Sequence, residues 1–312
     1  MIIKNKDSIS SVTEELQALL KLPLDNRQLS MVERELKALH YGVRGEQDSA
    51  YFLNFTYGKS NNWAIIHDLR IEWKGRVAQI DHLLINRALD IFVLETKNFF
   101  GNIKINEQGE FSVAYGEKIY GIESPIEQSR RHVAVLEERI AARVLAPTRL
   151  GIPLPVAFHP YVLISPKSTV DRPNIKAFDS SMVIKADQFE AVNAKRVDQM
   201  SVVGVLAKAG KIIGSNTLEA FAKGIAGLHR PGKINYRSKF GISESLTAAP
   251  PKLAPATEPT SSSPAIESAG RCDKCGAGVE AKVVAFCRYN RAKLDGHKVL
   301  CRDCQKTVAR QQ

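Results

Sequence analysis

The sequence of 312 residues predicts a mixed α/β domain joined by a flexible linker to a small cysteine-bearing module. Three observations predict it. Apolar runs of strand character alternate with segments of helical periodicity up to about residue 240. The composition then changes: "ISESLTAAPPKLAPATEPTSSSPAIESA" is rich in Pro, Ser, Ala and Thr and has no periodic apolar face. Beyond it, all five cysteines fall between Cys272 and Cys304, and in a reducing compartment such clustering points to metal rather than to disulfides. The expected organisation is an N-terminal helical segment over 1–40, an α/β domain over 41–240, the linker over 241–269 and the cysteine module over 270–312.

Taken in order, residues 12–40 read as helical segments broken near Pro23, and "EQDSAYFLNFTY" continues as a helix with Ala50, Leu53 and Tyr57 on one stripe. "WAIIHDLRIEW", "RVAQIDHLLIN" and "DIFVLETK" are strands by their β-branched and aromatic content, and "GNIKIN", "FSVAY" and "KIYGI" are shorter ones. Ser124, Pro125 and Glu127 then supply a cap residue, a first-turn proline and the acidic partner of a capping box. The helix they open repeats Ile126, Val133, Leu136, Ile140 and Val144 towards the core. "PVAFHPYVLI" is a further strand, and helices are expected over 187–206 and 216–228. A mixed sheet with helices packed on it results, its strand order unspecified by the pattern.

Charge sits in an unexpected place. "AQIDHLLINRALDIFVLETKNFFG" reads as two apolar strands around a turn, yet it carries Asp81, Glu95 and Lys97. Side chains alternate along a strand, so Glu95 and Lys97 share one face, as do Gln79 and Asp81. With the turn centred on Ala88, Asp81 sits opposite Glu95 and Gln79 opposite Lys97. Two directly opposed carboxylates destabilise a hairpin unless a cation lies between them or one keeps its proton. A hard ion such as Mg²⁺ suits that pair together with waters and a phosphate oxygen, and a lysine on the same face can orient water or offset charge on the phosphate. The plainer alternative is a solvated Glu-x-Lys charge pair at a strand end with a turn aspartate. Two further signals are set aside. "GKS" at Gly58–Ser60 has Leu53 where a Walker A loop needs glycine, and His67 with Asp68 serves packing or a local hydrogen bond better than metal binding.

"GRVAQIDHLLINRALDIFVLETKNFFGNI" closely resembles the nuclease-related domain of the restriction-endonuclease-like superfamily, whose motif is an aspartate on one strand and Glu-x-Lys on the next. "GVRGE" (Gly42 to Glu46) is similar to that family's Gly-x-x-Gly-Glu, and "SPIEQSRRH" (Ser124 to His132) to its glutamine-bearing helix. The resemblance implies a restriction-endonuclease-like mixed sheet flanked by helices. It also implies Asp81 and Glu95 as ligands of Mg²⁺ or Mn²⁺, Lys97 as the catalytic lysine, and Glu46 and Gln128 as accompanying site residues. For Glu46, the residues themselves also allow a first-turn glutamate favoured by the helix dipole. For Gln128 they allow a solvated helix face, and they give His132 no role.

The last module carries "CDKC" at Cys272 to Cys275 and "CRDC" at Cys301 to Cys304, separated by 25 residues. Two Cys-x-x-Cys pairs complete a Cys₄ site for Zn²⁺, and so short a module needs the metal for much of its stability. Cys287, within "VVAFC", reads as a buried strand residue rather than a ligand, and nothing requires His297 as one. The segment resembles zinc-ribbon tails joined to some nuclease-related and topoisomerase proteins.

The formal net charge is +11, and from Arg271 onwards ten Lys or Arg stand against four Asp or Glu, which favours a polyanionic partner. No apolar run is long enough to cross a bilayer, and "MIIKNKDSISSVTEELQALL" lacks the build of a secretory signal, so no membrane partner and a cytoplasmic location are expected. The expectation is a metal-dependent phosphodiesterase acting on nucleic acid, DNA rather than RNA, with a zinc ribbon assisting binding. The alternatives are an inactive nuclease fold that only binds nucleic acid, and a protein-interaction adaptor whose protein partners are unspecified.

Overall fold

The β-branched runs become the central strands of a six-stranded mixed sheet. The computed structural model describes residues 1–99, 101–143, 145–247, 270–280, 283–284, 286–287 and 299–309, and the chain divides into two compact units, Met1–Ala249 and Pro250–Gln312. The first unit opens with β1 (Ile2–Lys4), α1 (Ser10–Leu19) and α2 (Asn26–Tyr57). There follow β2 (Trp63–Trp73), β3 (Arg76–Asn86), β4 (Asp90–Lys97), β5 (Asn102–Ile105), β6 (Phe111–Tyr115), β7 (Lys118–Ile122) and α3 (Pro125–Ala142). It continues through β8 (Thr148–Arg149), β9 (Ile152–Pro153), β10 (Ala157–Ile164), β11 (Val170–Asp171) and β12 (Val183–Lys185). It closes with α4 (Phe189–Asp198), α5 (Val202–Ala209), α6 (Ser215–Ala226) and α7 (Tyr236–Phe240).

The sheet order is β1-β2-β3-β4-β10-β12. The β2–β3 and β3–β4 pairs are antiparallel, while β1 runs parallel to β2, and β4, β10 and β12 run parallel to one another. A four-stranded sheet, β11-β5-β6-β7, accompanies it. One face of the large sheet buries Ile66, Ile71, Leu83, Ile91 and Val93 against Leu136 and Ile140 of α3 and Leu218, Phe221 and Ile225 of α6. The other buries Ile65, Leu84, Phe92 and Leu163 against Leu53 and Tyr57 of α2 and Phe189 of α4. Each fully buried side chain of this size contributes roughly 1.5–3 kcal/mol, so the helices are held by packing more than by their own propensity.

The β3–β4 turn has the expected register, with Leu83 opposite Val93 and Ile85 opposite Ile91. Asn86 closes it, its Oδ1 accepting from the backbone N–H groups of Ala88 and Asp90 at 2.9 and 3.0 Å. Farther along, β2 and β3 change face together. Ala64 and Ile66 precede the change and Leu69 and Ile71 follow it in one core cluster, just as Leu83 and Ile85 do with Ala78 and Ile80. The ladder pairs His67 with His82 and Leu69 with Ile80, skipping Asp68 and Asp81. Asp68 absorbs the change with a φ of 55°, a left-handed conformation that Asp tolerates better than most residues.

Several expectations are corrected in detail. The boundary expected between residues 40 and 41 falls inside α2, a continuous helix of 32 residues. Its buried line is Gly45, Ser49, Leu53 and Tyr57, which moves Glu46 from the core stripe to its flank. At α3, Ser124 accepts from the Glu127 N–H, but the Glu127 carboxylate pairs with Arg130, so the reciprocal half of the capping box is absent. The complete box is at α2, between Asp25 and Gln28. In the second unit Val283, Val284, Phe286 and Cys287 are helical rather than a strand. Val144, His297 and the linker from residue 248 to 269 lie outside the described residues. Among the described residues no helix is long and apolar enough to cross a membrane.

Candidate functional site

The change of face in β2 and β3 creates a fork. The β3–β4 ladder ends at His82 opposite Leu94. Beyond that pair β3 stays with β2, while β4 runs on beside β10, with Glu95 opposite Val162 and Lys97 opposite Ile164. Asp81 points into the opening, where its Oδ2 accepts from the Thr96 N–H at 2.7 Å. The direct strand pairing expected of Asp81 with Glu95 and of Gln79 with Lys97 is therefore not made. Gln79 pairs with Arg70 and gives its amide to Asp68. Asp81 and Glu95 meet through the fork instead.

Glu95 is only 4% exposed. Its Oε1 accepts from Lys97 Nζ at 2.8 Å, and Lys97 Nζ also donates to Gln128 Oε1 at 2.9 Å. The lysine is thus held between strand and helix in one orientation. Glu95 Oε2 lies 3.4 Å from His132 Nδ1, an electrostatic contact without hydrogen-bond alignment, and neither atom has a hydrogen-bond partner. Glu46 reaches the same region from α2 and pairs with Lys6. Gly45 makes this approach possible, because a Cβ there would stand 2.4 Å from Cβ of Asn98. Asn98 in turn donates to the Tyr41 carbonyl at 3.1 Å, which ties the residue after Lys97 to α2.

The electrostatics express the crowding. Burial pushes the Asp81 carboxyl well above its usual range, and the charges of Glu95 and Glu46 add to the rise against the opposing Thr96 N–H and Lys97. Burial also raises Glu46, which Lys6 only partly offsets. At Glu95 burial acts in the same sense, but His132 and Lys97 outweigh it and hold the carboxyl below its usual range. Among the described residues no cation lies within ion-pair distance of Asp81. The site thus gathers three carboxylates, two of them paired with ammonium groups and one not.

All five residues expected from sequence meet here: Glu46, Asp81, Glu95, Lys97 and Gln128. His132 and Lys6 were missed. The first had a signal, since it stands one helical turn beyond Gln128 on α3. The second had none, because Lys6 arrives through the parallel pairing of β1 with β2. His67 and His82 bond one another, with Nδ1 atoms 2.8 Å apart and His67 Nε2 on Asn54 Oδ1 at 3.0 Å, while His82 Nε2 is buried without a hydrogen-bond partner among the described residues. A cleft of about 420 Å³ adjoins the site, lined by Arg76, Val77, Gln128, Arg131 and His132 among others.

In the second unit, β13 (Gly270–Arg271) and β14 (Gly278–Val279) form a small hairpin, and α8 spans Arg302–Ala309. The hairpin turn closes with Gly276 at a φ of 71°. The turn and the start of α8 bring Cys272, Cys275, Cys301 and Cys304 together, with all four sulfurs within 4.8 Å of one another. A tetrahedral zinc with Zn–S near 2.3 Å sets its sulfurs about 3.8 Å apart, so the cluster can hold zinc with small adjustment. Burial would push the Cys272 thiol up, but backbone N–H groups at Cys301, Cys275 and Lys274 bring it down to about 6. The Cys301 and Cys275 sulfurs push Cys304 up to about 12. Negative charge therefore favours Cys272 over Cys304, and a bound cation would let Cys304 ionise as well. Cys287 is fully buried with Val279, Val283 and Leu300, its sulfur accepting from the Leu300 N–H at 3.4 Å, and it takes no part in the cluster.

Residues 41–165 match the family model of the nuclease-related domain. The match contains Glu46, Asp81, Glu95, Lys97, Gln128 and His132, and leaves Lys6 and the cysteines outside it. No curated protein and no solved structure matches the chain.

Proposed function

We propose that the chain, with its nuclease-related segment at 41–165, is a metal-dependent nuclease that hydrolyses phosphodiester bonds, DNA being the preferred substrate. One observation carries the reading. Glu95 keeps a buried oxygen with no hydrogen-bond partner among the described residues, 3.4 Å from His132 Nδ1, in a site that also contains the raised carboxyl of Asp81. An oxygen-only donor set of this kind fits a hard divalent ion, and Mg²⁺ or Mn²⁺ is the choice consistent with two carboxylates completed by water and phosphate oxygens. Asp81 and Glu95 would hold it, and once bound it would supply Lewis-acid polarisation of the phosphate and a more acidic bound water.

The remaining work falls to this chain's own groups. Lys97, oriented by Glu95 and Gln128, presents its ammonium protons to the attacking water or to a non-bridging phosphate oxygen as charge develops there. Gln128 keeps that ammonium from turning away. Arg76 and Arg131, in the cleft beside Gln128 and paired with Glu138 and Glu123, would exchange those partners for the flanking backbone phosphates, contacts that set register without reading sequence. The four clustered cysteines would bind Zn²⁺, and the basic module they support would hold nucleic acid, since its net charge favours counterion release from phosphates. Cysteines gathered as metal ligands would fit a reducing, cytoplasmic setting.

The test is cleavage of single-stranded, duplex and branched DNA and of RNA in Mg²⁺ or Mn²⁺, with Asp81→Ala and Lys97→Ala as controls. Wild type is expected to cut DNA, Asp81→Ala to lose activity, and Lys97→Ala to fall by about 10²–10³-fold, the loss typical of removing a transition-state donor. Binding without cleavage of any substrate would establish the inactive, binding-only alternative. Cleavage that survives both substitutions would remove these residues from the site.

A further inference from the structure

The pairing of Lys6 with Glu46 is unexplained by the nuclease-related segment, since Lys6 lies outside it. It is also well supported from the backbone upward. β1 pairs in parallel with β2, placing Ile2 beside Ile65 and Lys4 beside Ile66. Lys4 Nζ then donates to the His67 and Asp68 carbonyls at 3.2 and 2.9 Å and to Asp7 Oδ1 at 2.7 Å. Asp7 N–H donates to Asp68 Oδ2 at 3.1 Å, and Asp7 Oδ2 meets His229 Nε2 at 2.8 Å. Lys6 is thereby fastened on both sides across the point where β2 changes face. Its side chain is 24% exposed and that of Glu46 is 22% exposed, so this is a sheltered pair rather than a solvated one.

The consequence concerns how many cations the fork can accept. Glu46, Asp81 and Glu95 bring three carboxylates, and Lys6 and Lys97 bring two ammonium groups. Asp68, the next acid nearby, is engaged by Gln79 and by the Asp7 N–H. A first divalent ion between Asp81 and Glu95 would offset the local excess of negative charge. A second would need the Glu46 oxygens, where Lys6 already stands, and would have to displace that ammonium or share the carboxylate with it against like-charge repulsion.

We infer that Lys6 is a built-in counter-ion that occupies the outer carboxylate and restricts the fork to a single divalent cation, making the N-terminal strand a working part of the site. This rests on the metal-site reading above. Lys6 acts through Glu46 and is a positioning residue, not a catalytic one.

The experiment counts Mn²⁺ bound by the full-length, zinc-loaded chain, by electron paramagnetic resonance and titration calorimetry, with Asp81→Ala as the background. About one Mn²⁺ per chain is expected for wild type, about two for Lys6→Met, and about one again for Lys6→Met combined with Glu46→Gln. Lys6→Arg, which keeps the charge, should stay at one and guards against a Lys6→Met chain that fails to fold. Two ions in wild type, or one in folded Lys6→Met, would overturn the counter-ion role while leaving the metal site in place. No Mn²⁺ in any variant would overturn the metal site and the counter-ion role together.

Discussion

The two acids of the fork show how a proposed metal ligand is placed against its own stability. Asp81 is half-buried beside Glu95 and Glu46 with one backbone N–H as compensation, and its carboxyl is driven up accordingly. Asparagine has the same shape and keeps an oxygen for the Thr96 N–H while removing the like-charge repulsion. Asp81→Asn should therefore raise the melting temperature of the metal-free protein by a few degrees, the response to about 1 kcal/mol in a chain of this size. It should also abolish the extra stabilisation that Mg²⁺ or Mn²⁺ gives wild type, because cation binding stabilises only a chain that still holds the ligand. Thermal melts with and without the ion check both halves. A metal-free Asp81→Asn chain less stable than wild type would contradict the electrostatic account. At this scale much of the site was legible. Charges inside apolar strands are conspicuous, and the Ala88 turn set the register. That the ladder would stop one pair short of Asp81 was not legible, because the cause lies in β2, at the left-handed Asp68. Lys6 was illegible for a like reason, its position being decided by strand pairing across about sixty residues of chain.

Among the helices, α2 carries a close contact beside the site. Glycine within a helix is ordinarily about 1 kcal/mol worse than alanine, so two glycines in one helix invite opposite substitutions. A Cβ added at Gly42 would meet nothing within 4 Å, whereas one at Gly45 would stand 2.4 Å from Cβ of Asn98. Gly42→Ala should then stabilise the protein by up to about 1 kcal/mol. Gly45→Ala should destabilise it by about 1–3 kcal/mol, as overpacking does, and should push Glu46 and the residue after Lys97 apart. Chemical denaturation of the two variants reads the sign directly, and equal effects would show that α2 does not depend on close approach there. Sequence pattern located the strands β2, β3 and β4 and the buried Leu53 and Tyr57 of α2. It misjudged the flank of α2 on which Glu46 lies, since Gly45 and Ser49, small residues with weak hydrophobic signal, hold the buried line. It also took "VVAFC" for a strand, because a short β-branched run cannot be told from a buried helical turn by periodicity.

For the molecule as a whole, two units with separate cores imply two stabilities. Met1–Ala249 encloses extensive apolar clusters on both faces of its sheet. The described core of Pro250–Gln312 is Cys272, Val279, Val283, Cys287 and Leu300 with a few partly buried neighbours. So small a core cannot be expected to offset chain entropy unaided, and a metal at the four cysteines would supply the difference. Strand order, with β10 inserted beside β4, escaped the sequence because a parallel crossover leaves no local mark. A change of composition, by contrast, is visible without any knowledge of pairing. Cys301→Ser should abolish the binding of about one zinc per chain and strip hydrogen-exchange protection from the last module. The thermal transition of Met1–Ala249 should stay where it was. The same variant should weaken nucleic-acid binding and flatten its dependence on salt, since the module brings ten of the basic residues and an unfolded chain presents them without fixed geometry. Cleavage at saturating substrate should change far less, because the proposed reacting groups all lie in the first unit. A zinc-free module that keeps its exchange protection, or a salt dependence untouched by its loss, would separate the cysteine cluster from nucleic-acid binding and leave the fork to recruit substrate through Arg76 and Arg131 alone.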